Sequence, residues 1–370
     1  MTIRRLTHRD LRVGELLAWD VFGENGALLV RKGFLPSSDG QVDSLVERGY
    51  VDDLAITADL VASAEPPSVL RLLNQAVAGL EPLLHRVAAG GTGVQGDLEQ
   101  VAALVSQAVD VNPEVAAACI LHNQHAAPYA VRHCIDTAVV ALIVARAVKR
   151  PPEEMQAMAL AALTMNVAML GLQDERGQLS DAEKALVRAH PERGTALLRQ
   201  AGITDPVWLN CVLSHHENED GSGYPRGLAA DAISCAAKLI ALADRYCARV
   251  SNRPYRKPML PNAALRDILL EARHALDAQL GAVLIRELGI YPVGTFVRLL
   301  NGEVGVVSRK GLNSTTPYVQ SFIGPRGAPL EVFLQRDTRG DLSAIRDVLS
   351  AEQVETPIRM DQVWGRSALP

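Results

Sequence analysis

Ser214 to Leu228 reads SHHENEDGSGYPRGL. The apolar run before it, Val207 to Leu213, predicts a helix that ends at the histidine pair. His215 and His216 therefore stand at a helix end. Neutral imidazole is the commonest side-chain ligand for transition metals, so an adjacent pair at such a corner is a candidate metal site. Three acids follow (Glu217, Glu219, Asp220). Then Gly221-Ser222-Gly223-Tyr224-Pro225 supplies the residue types of a tight turn: two glycines, then Tyr and Pro fix its backbone.

Outward from that stretch, composition sets bounds. The chain has 370 residues, room for two or three domains. Its 48% apolar and 21% charged residues suit a globular core. A net charge of −5 argues against a general nucleic-acid binder. MTIRRLTHRD carries no apolar stretch behind its basic residues and does not read as a signal peptide. The longest apolar run, Ala138 to Ala145, is far short of a membrane span. The five cysteines (Cys119, Cys134, Cys211, Cys235, Cys247) are odd in number and form no C-x-x-C, so the expectation is reduced core thiols in a cytoplasmic protein.

The pattern along the chain predicts a β-rich N-terminal unit over 1–62, with a hairpin at Glu24-Asn25-Gly26 and a helix at Ser38 to Arg48. ASAEPPS at 62–68 reads as a linker. Residues 69–124 read as a helical linker region and 125–288 as a helical domain, with helices near 97–110, 113–122, 128–148, 152–171, 180–200, 205–217, 231–250, 262–275 and 276–288. Pro151-Pro152-Glu153-Glu154 and Ser180-Asp181-Ala182-Glu183 are start signals. From 289 the period changes to two, and Asn301-Gly302 marks a hairpin. A small antiparallel appendage is expected over 289–340, then a short helix near 342–350 and a tail within 341–370. The fold class is mostly α, a helical bundle with β-rich additions at both ends.

Several segments now stand in order: His133 on a helix, ALTMNVAMLG at 162–171, HPERG at 190–194, HHENEDGSGYPRGL at 215–228, ALADRYCA at 241–248 and SNRPYR at 251–256. Their order and spacing over roughly 125–288 resemble the HD-GYP branch of the HD-domain phosphohydrolases. The resemblance implies an HD-domain helical bundle that holds two or three metal ions and hydrolyses cyclic di-GMP. Two close ions bind phosphate oxygens and acidify a bridging water.

Carried over by position, the resemblance makes His133, His190, His215, His216 and Asp244 metal ligands. The family's H-D-x-G-K falls on Met165-Asn166-Val167-Ala168-Met169. Here the histidine is Met165, the bridging aspartate Asn166 and the phosphate-binding lysine Met169. A carboxylate that some relatives add one turn before the first histidine falls on Tyr129. Asn166 offers a neutral oxygen, Met165 a soft thioether that suits hard ions poorly, and Met169 no charge for phosphate. The expectation is therefore a dismantled binuclear centre with no assignable catalytic residue, holding a residual divalent ion (Fe, Mn or Zn) or none. Asp136, three residues after His133, is a candidate substitute carboxylate.

The retained turn shifts weight to binding. In the family this loop is implicated in contacts with diguanylate cyclase (GGDEF) domains, which makes Gly221, Gly223, Tyr224 and Pro225 candidate partner residues. Arg253 and Arg256 are candidate phosphate binders or helix-end packing. The leading expectation is a catalytically degenerate signalling protein that binds a partner protein and, as a further option, cyclic di-GMP; a homodimer is left open. The alternatives are an active metal-dependent cyclic di-GMP phosphodiesterase with an unusual ligand set, and a sensor that binds cyclic di-GMP without cleaving it.

Overall fold

The computed structural model describes residues 3–8, 10, 11, 13, 17, 19–31, 34, 36, 38–52, 67–174, 180–253, 256–354 and 356–370. Residues 62–66 of the expected linker lie outside them. The chain divides into two compact units, Met1–Pro66 and Pro67–Pro370.

In the first unit, strands β1 (Ile3–Arg5), β2 (Val21–Phe22), β3 (Leu28–Val30) and β4 (Tyr50–Asp52) form an antiparallel sheet in the order β1-β4-β2-β3. The β2–β3 hairpin turns at the expected Glu24-Asn25-Gly26, where Gly26 takes a φ of 76° that disfavours any side chain. Helix α1 (Asp39–Arg48) adds Val42 to a small core with Leu6, Leu11, Leu17, Val21 and Val51.

The second unit is mainly helical: α2 (Val69–Ala88), α3 (Gln95–Val111), α4 (Pro113–His122), α5 (Tyr129–Ala147), α6 (Pro152–Thr164), α7 (Leu170–Asp174), α8 (Asp181–Gln200), α9 (Pro206–Ser214), α10 (Cys235–Val250), α11 (Pro261–Glu271) and α12 (Ala278–Leu288). Local chemistry sets many of the starts. Asn112 accepts from the Glu114 and Val115 amides, Asp205 from Trp208, and Ser234 from Ala237. Ser180 and Glu183 form the expected reciprocal capping box. Helix α5 is the axis of the bundle: every residue from Tyr129 to Ala145 is buried, and it packs against α6 and α10. From Ala138 to Ala145 it is apolar on every side, as a core helix is.

One stretch, Pro152–Leu172, is long and apolar enough to cross a membrane by length and composition, but 61% of its window is buried inside the fold. It is also not one helix. A continuous helix over 152–171 was expected, yet α6 ends at Thr164 and a 3-10 turn covers Val167–Met169. The Thr164 hydroxyl donates to Leu160 O (2.7 Å) and accepts from Trp208 Nε1 (2.8 Å). Back-bonding of this kind bends helices, and apolar periodicity does not register it. The break falls on Met165–Asn166, the pair on which the functional reading turns.

The C-terminal part of this unit holds a five-stranded antiparallel sheet: β5 (Phe296–Leu299), β6 (Val304–Arg309), β7 (Tyr318–Ile323), β8 (Pro329–Asp337) and β9 (Ile345–Leu349), in the order β8-β7-β6-β5-β9. The expected helix near 342–350 is a correction. Asp341–Ser343 makes a single 3-10 turn, and β9 then pairs with β5, Phe296 opposite Leu349. The free edge of β5 offers backbone donors and acceptors that outweigh a weak local helix signal. A short helix, α13 (Met360–Trp364), follows. The C-terminal end returns to the start of α2, where Ser68 Oγ donates to Leu369 O (2.5 Å).

Candidate metal centre

Four elements converge on one buried spot. Helix α5 brings His133, α8 brings His190, the end of α9 brings His215 and His216, and α10 brings Asp244. His133, His190 and His215 are 1%, 0% and 1% exposed, and Asp244 is buried with them. Of the sequence-predicted ligands, His190, His215 and His216 form the group able to hold an ion, with all ligand atoms within 4.8 Å of one another.

The tautomers follow from the hydrogen bonds. His190 Nδ1 lies 2.5 Å from Val187 O and His215 Nδ1 lies 2.8 Å from Val212 O. A carbonyl only accepts, so both rings carry their hydrogen on Nδ1. Their Nε2 lone pairs then face each other at 3.1 Å. Two neutral acceptors at that separation repel unless a cation or proton lies between them. Two nitrogens about 2.0–2.1 Å from one tetrahedral ion stand about 3.3–3.4 Å apart. The pair thus fits a shared cation. Burial and the like-charged His215 push the pKa of His190 down to about 3; burial also lowers His215 and lowers His216 further. Near neutral pH the three rings are uncharged, the form that binds a metal.

His133 and Asp244 stand together. His133 Nε2 is 2.7 Å from Asp244 Oδ1, and the His133 ring stacks on Tyr129 with centroids 5.1 Å apart. Burial raises the pKa of Asp244, but the His133 hydrogen bond together with the electrostatic pull of His133, His216 and His215 more than offsets it and holds the carboxyl well below its usual range. Asp244 is therefore an anion at the edge of the histidine cluster, with one oxygen committed to His133.

The degenerate positions are inside as well. Met165 is fully buried; its carbonyl oxygen lies, like Val212 Cγ1, just beyond where a Cβ on Gly194 would stand. Asn166 is 2% exposed, and its Oδ1 has no hydrogen-bond partner among the described residues. Met169 is half-buried. Asp136 does not join the histidines. It is buried, and its charge bears on Cys119, Cys134, Tyr246 and Cys247. The five cysteines are free thiols, and Cys235 is the one that is only half-buried.

The loop after the histidines is tightly tied. Glu217 is 3% exposed, and its carboxylate accepts from Arg226 N (2.7 Å) and Leu228 N (2.9 Å). These two bonds close the loop. Asp220 accepts from the Ser222 amide and hydroxyl, which orients the turn. Tyr224 N donates to His216 O at 3.1 Å. At Gly223 a Cβ would stand 2.5 Å from Asn218 N, Glu217 Cα and His216 O, so only glycine fits this approach. The Tyr224 ring stacks on His216 with centroids 4.7 Å apart, and the Tyr224–Pro225 peptide is cis.

Arg253 and Arg256 both bond Ala248 O near the end of α10, the helix-end role considered for them. Arg253 also lies over the Tyr129 ring, 4.5 Å from its centroid, which puts a cation on the His133 side of the centre. Pro254 and Tyr255 lie outside the described residues. Three further arginines escaped the sequence reading. Arg132 is 5% exposed, and its Nε and Nη1 find no hydrogen-bond partner among the described residues. Arg188 lies over Tyr224 at 5.1 Å, and Arg245 donates to Asn218 Oδ1 at 2.5 Å. The signal was adjacency: Arg132 precedes His133, Arg245 follows Asp244, and Arg188 sits two before His190.

Residues 115–280 match the family model described as HD domain. The chain is 34% identical over 203 residues to a cyclic di-GMP phosphodiesterase of Pseudomonas aeruginosa, a match covering 54% of this chain and 49% of that protein. It is 31% identical over 154 residues to the cyclic di-GMP phosphodiesterase response regulator RpfG of Xanthomonas campestris, covering 40% of each. The chain thus spans half or less of the length of these relatives. Among solved structures, the HDG"Y"P protein Bd1817 of Bdellovibrio bacteriovorus aligns with a TM-score of 0.49 at 14% identity, over 76% of this chain and 98% of that one. With cyclic di-GMP phosphodiesterases among its relatives and H-H-E-x-x-D-G-x-G-Y-P at the site, the helical domain over residues 115–280 is an HD domain of the HD-GYP kind.

Proposed function

We propose that the chain is a degenerate HD-GYP signalling protein. Its centre holds one divalent ion at most, and it acts by binding a partner protein, with a cyclic dinucleotide as a second ligand, instead of by turnover. One observation carries this reading. The turn where the family places its bridging carboxylate presents the Asn166 amide and the buried Met165, while three histidines still converge nearby. A two-metal phosphodiesterase needs ions about 3.5–4 Å apart with an anion between them. Asp244 is the carboxylate at hand, and one of its oxygens is engaged by His133.

A bound ion would supply Lewis acidity to a phosphate oxygen. His190, His215 and His216 would hold it. Asn166 Oδ1 could add a neutral contact, and Asp244 would balance charge at the rim. Met169 brings no cation to a phosphate; Arg253, over the Tyr129 ring, is a cation on the His133 side. The loop from Gly221 to Pro225 is the proposed contact for a GGDEF domain, and self-association remains an option for the same surface.

The competing reading is an active phosphodiesterase, favoured by the three-histidine cluster and by the activity named for the relatives. Metal analysis combined with a cyclic di-GMP hydrolysis assay in Mn²⁺ or Fe²⁺ separates the two. One ion or none with no hydrolysis is expected. Two ions per chain with sustained hydrolysis would overturn the proposal.

A further inference from the structure

We propose that the Tyr224 ring couples the surface loop to the metal centre, so that ion binding and the conformation of residues 221–228 are linked. This rests on the reading of His190, His215 and His216 as ligands of one ion.

The coupling runs through contacts of one side chain and its loop. Tyr224 stacks on His216, interplanar angle 27°, and the Arg188 guanidinium lies over the Tyr224 ring. Arg188 sits on α8, two residues before His190. The same ring therefore touches a ligand candidate and a residue of the helix that carries another. Its backbone amide is bonded to His216 O, which holds the residue beside that ring while the loop stays closed. The loop reaches the third wall as well. Asn218 accepts from Arg245, the neighbour of Asp244 on α10, and Arg245 packs toward Glu271 (3.8 Å). Glu217, next to His216, closes the far end through the Arg226 and Leu228 amides. Loop, α8 and α10 are thus braced through one aromatic ring and the Arg245–Asn218 hydrogen bond.

Linkage makes the consequence reciprocal. An ion that fixes the His216 ring favours the closed loop. Anything that draws Tyr224 outward releases His216 and weakens the ion. Tyr224 is a positioning residue here, since it acts through His216. Loss of an outer-shell partner commonly costs about 10–100-fold in metal affinity.

The test uses Co²⁺ alone, titrated into the full chain and followed by its visible absorption, with amide exchange at residues 221–228 measured with and without the ion. Wild type, Tyr224→Phe, Tyr224→Ala and Arg188→Gln are compared at a temperature where thermal melting shows all four folded. The expectation is that Tyr224→Ala weakens Co²⁺ about tenfold or more and shifts its absorption, Tyr224→Phe restores both, Arg188→Gln falls between, and Co²⁺ slows exchange in the wild-type loop. Co²⁺ binding by Tyr224→Ala with wild-type affinity and spectrum, or loop exchange indifferent to Co²⁺, would overturn the coupling alone. A wild-type chain that binds no Co²⁺ would overturn the metal reading, and the coupling with it.

Discussion

His190 and His215 face each other through their Nε2 atoms at 3.1 Å, with the Nδ1 hydrogens of both rings turned toward backbone carbonyls of their own helices. Neither ring can flip to relieve the contact without losing its carbonyl partner inside a buried site. A cation between the two rings would relieve it. Wild-type protein should therefore take up Zn²⁺ at one ion per chain, read by elemental analysis after dialysis. His215→Ala removes one of three converging ligands and should weaken Zn²⁺ in chelator competition by more than the about 10–100-fold typical of outer-shell losses. Equal affinity in the variant would place the ion elsewhere.

The turn at Met165–Asn166 makes a second prediction. If the centre is dismantled by these residues, rebuilding them should restore it. The triple variant Met165→His, Asn166→Asp, Met169→Lys should bind a second Mn²⁺ and gain cyclic di-GMP hydrolysis over a wild-type background near zero. Met165 is fully buried, so an imidazole there should lower stability by about 1–3 kcal/mol unless metal is present. Metal-dependent recovery of the melting temperature checks that half independently of activity.

What was legible in the sequence and what was not divides along physical lines. His215-His216 and the turn after them are contiguous, and caps such as Ser180–Glu183 are local, so short-range chemistry announces them. The helix break at Thr164 depends on Trp208, 44 residues away in the chain, and no periodicity carries it. Strand β9 was misread as helix because its partner β5 lies distant in sequence. Arg188 and Arg245 were missed because residues one or two away from a ligand on a helix belong to another face. Their long side chains reach around that face, which spacing rules do not describe.

Gly223 gives a third prediction. Its missing Cβ leaves room for three backbone atoms of His216 to Asn218 that a methyl would meet at 2.5 Å. Backbone cannot yield as a flexible side-chain tip can. Gly223→Ala should open the loop, lower stability by about 2 kcal/mol or more, and speed proteolytic cleavage between Gly221 and Leu228. Ser222→Ala, at an exposed neighbour, should cost less than about 1 kcal/mol, since it loses hydroxyl bonds to Asp220 and Asn218 at the surface.

Asp136 supplies the pH dependence. It is buried on α5 with Oδ2 unpartnered among the described residues, and burial raises its pKa from 3.8 to about 7 against the opposing pull of Arg132. Between about pH 4 and 7 the folded chain holds a proton that the unfolded chain has released. The folded state binds more protons across that window, so this group's contribution to stability is full below about pH 4 and is lost as pH rises through about 7. Asp136→Asn keeps the shape and removes the charge. It should leave stability nearly unchanged below about pH 4, raise it progressively from there to roughly 1–3 kcal/mol above pH 8, and flatten that part of the profile. Urea unfolding of both proteins across pH 3.5 to 8.5 measures it. A profile unchanged by the substitution would mean that Asp136 is already ionised and partnered in the folded chain.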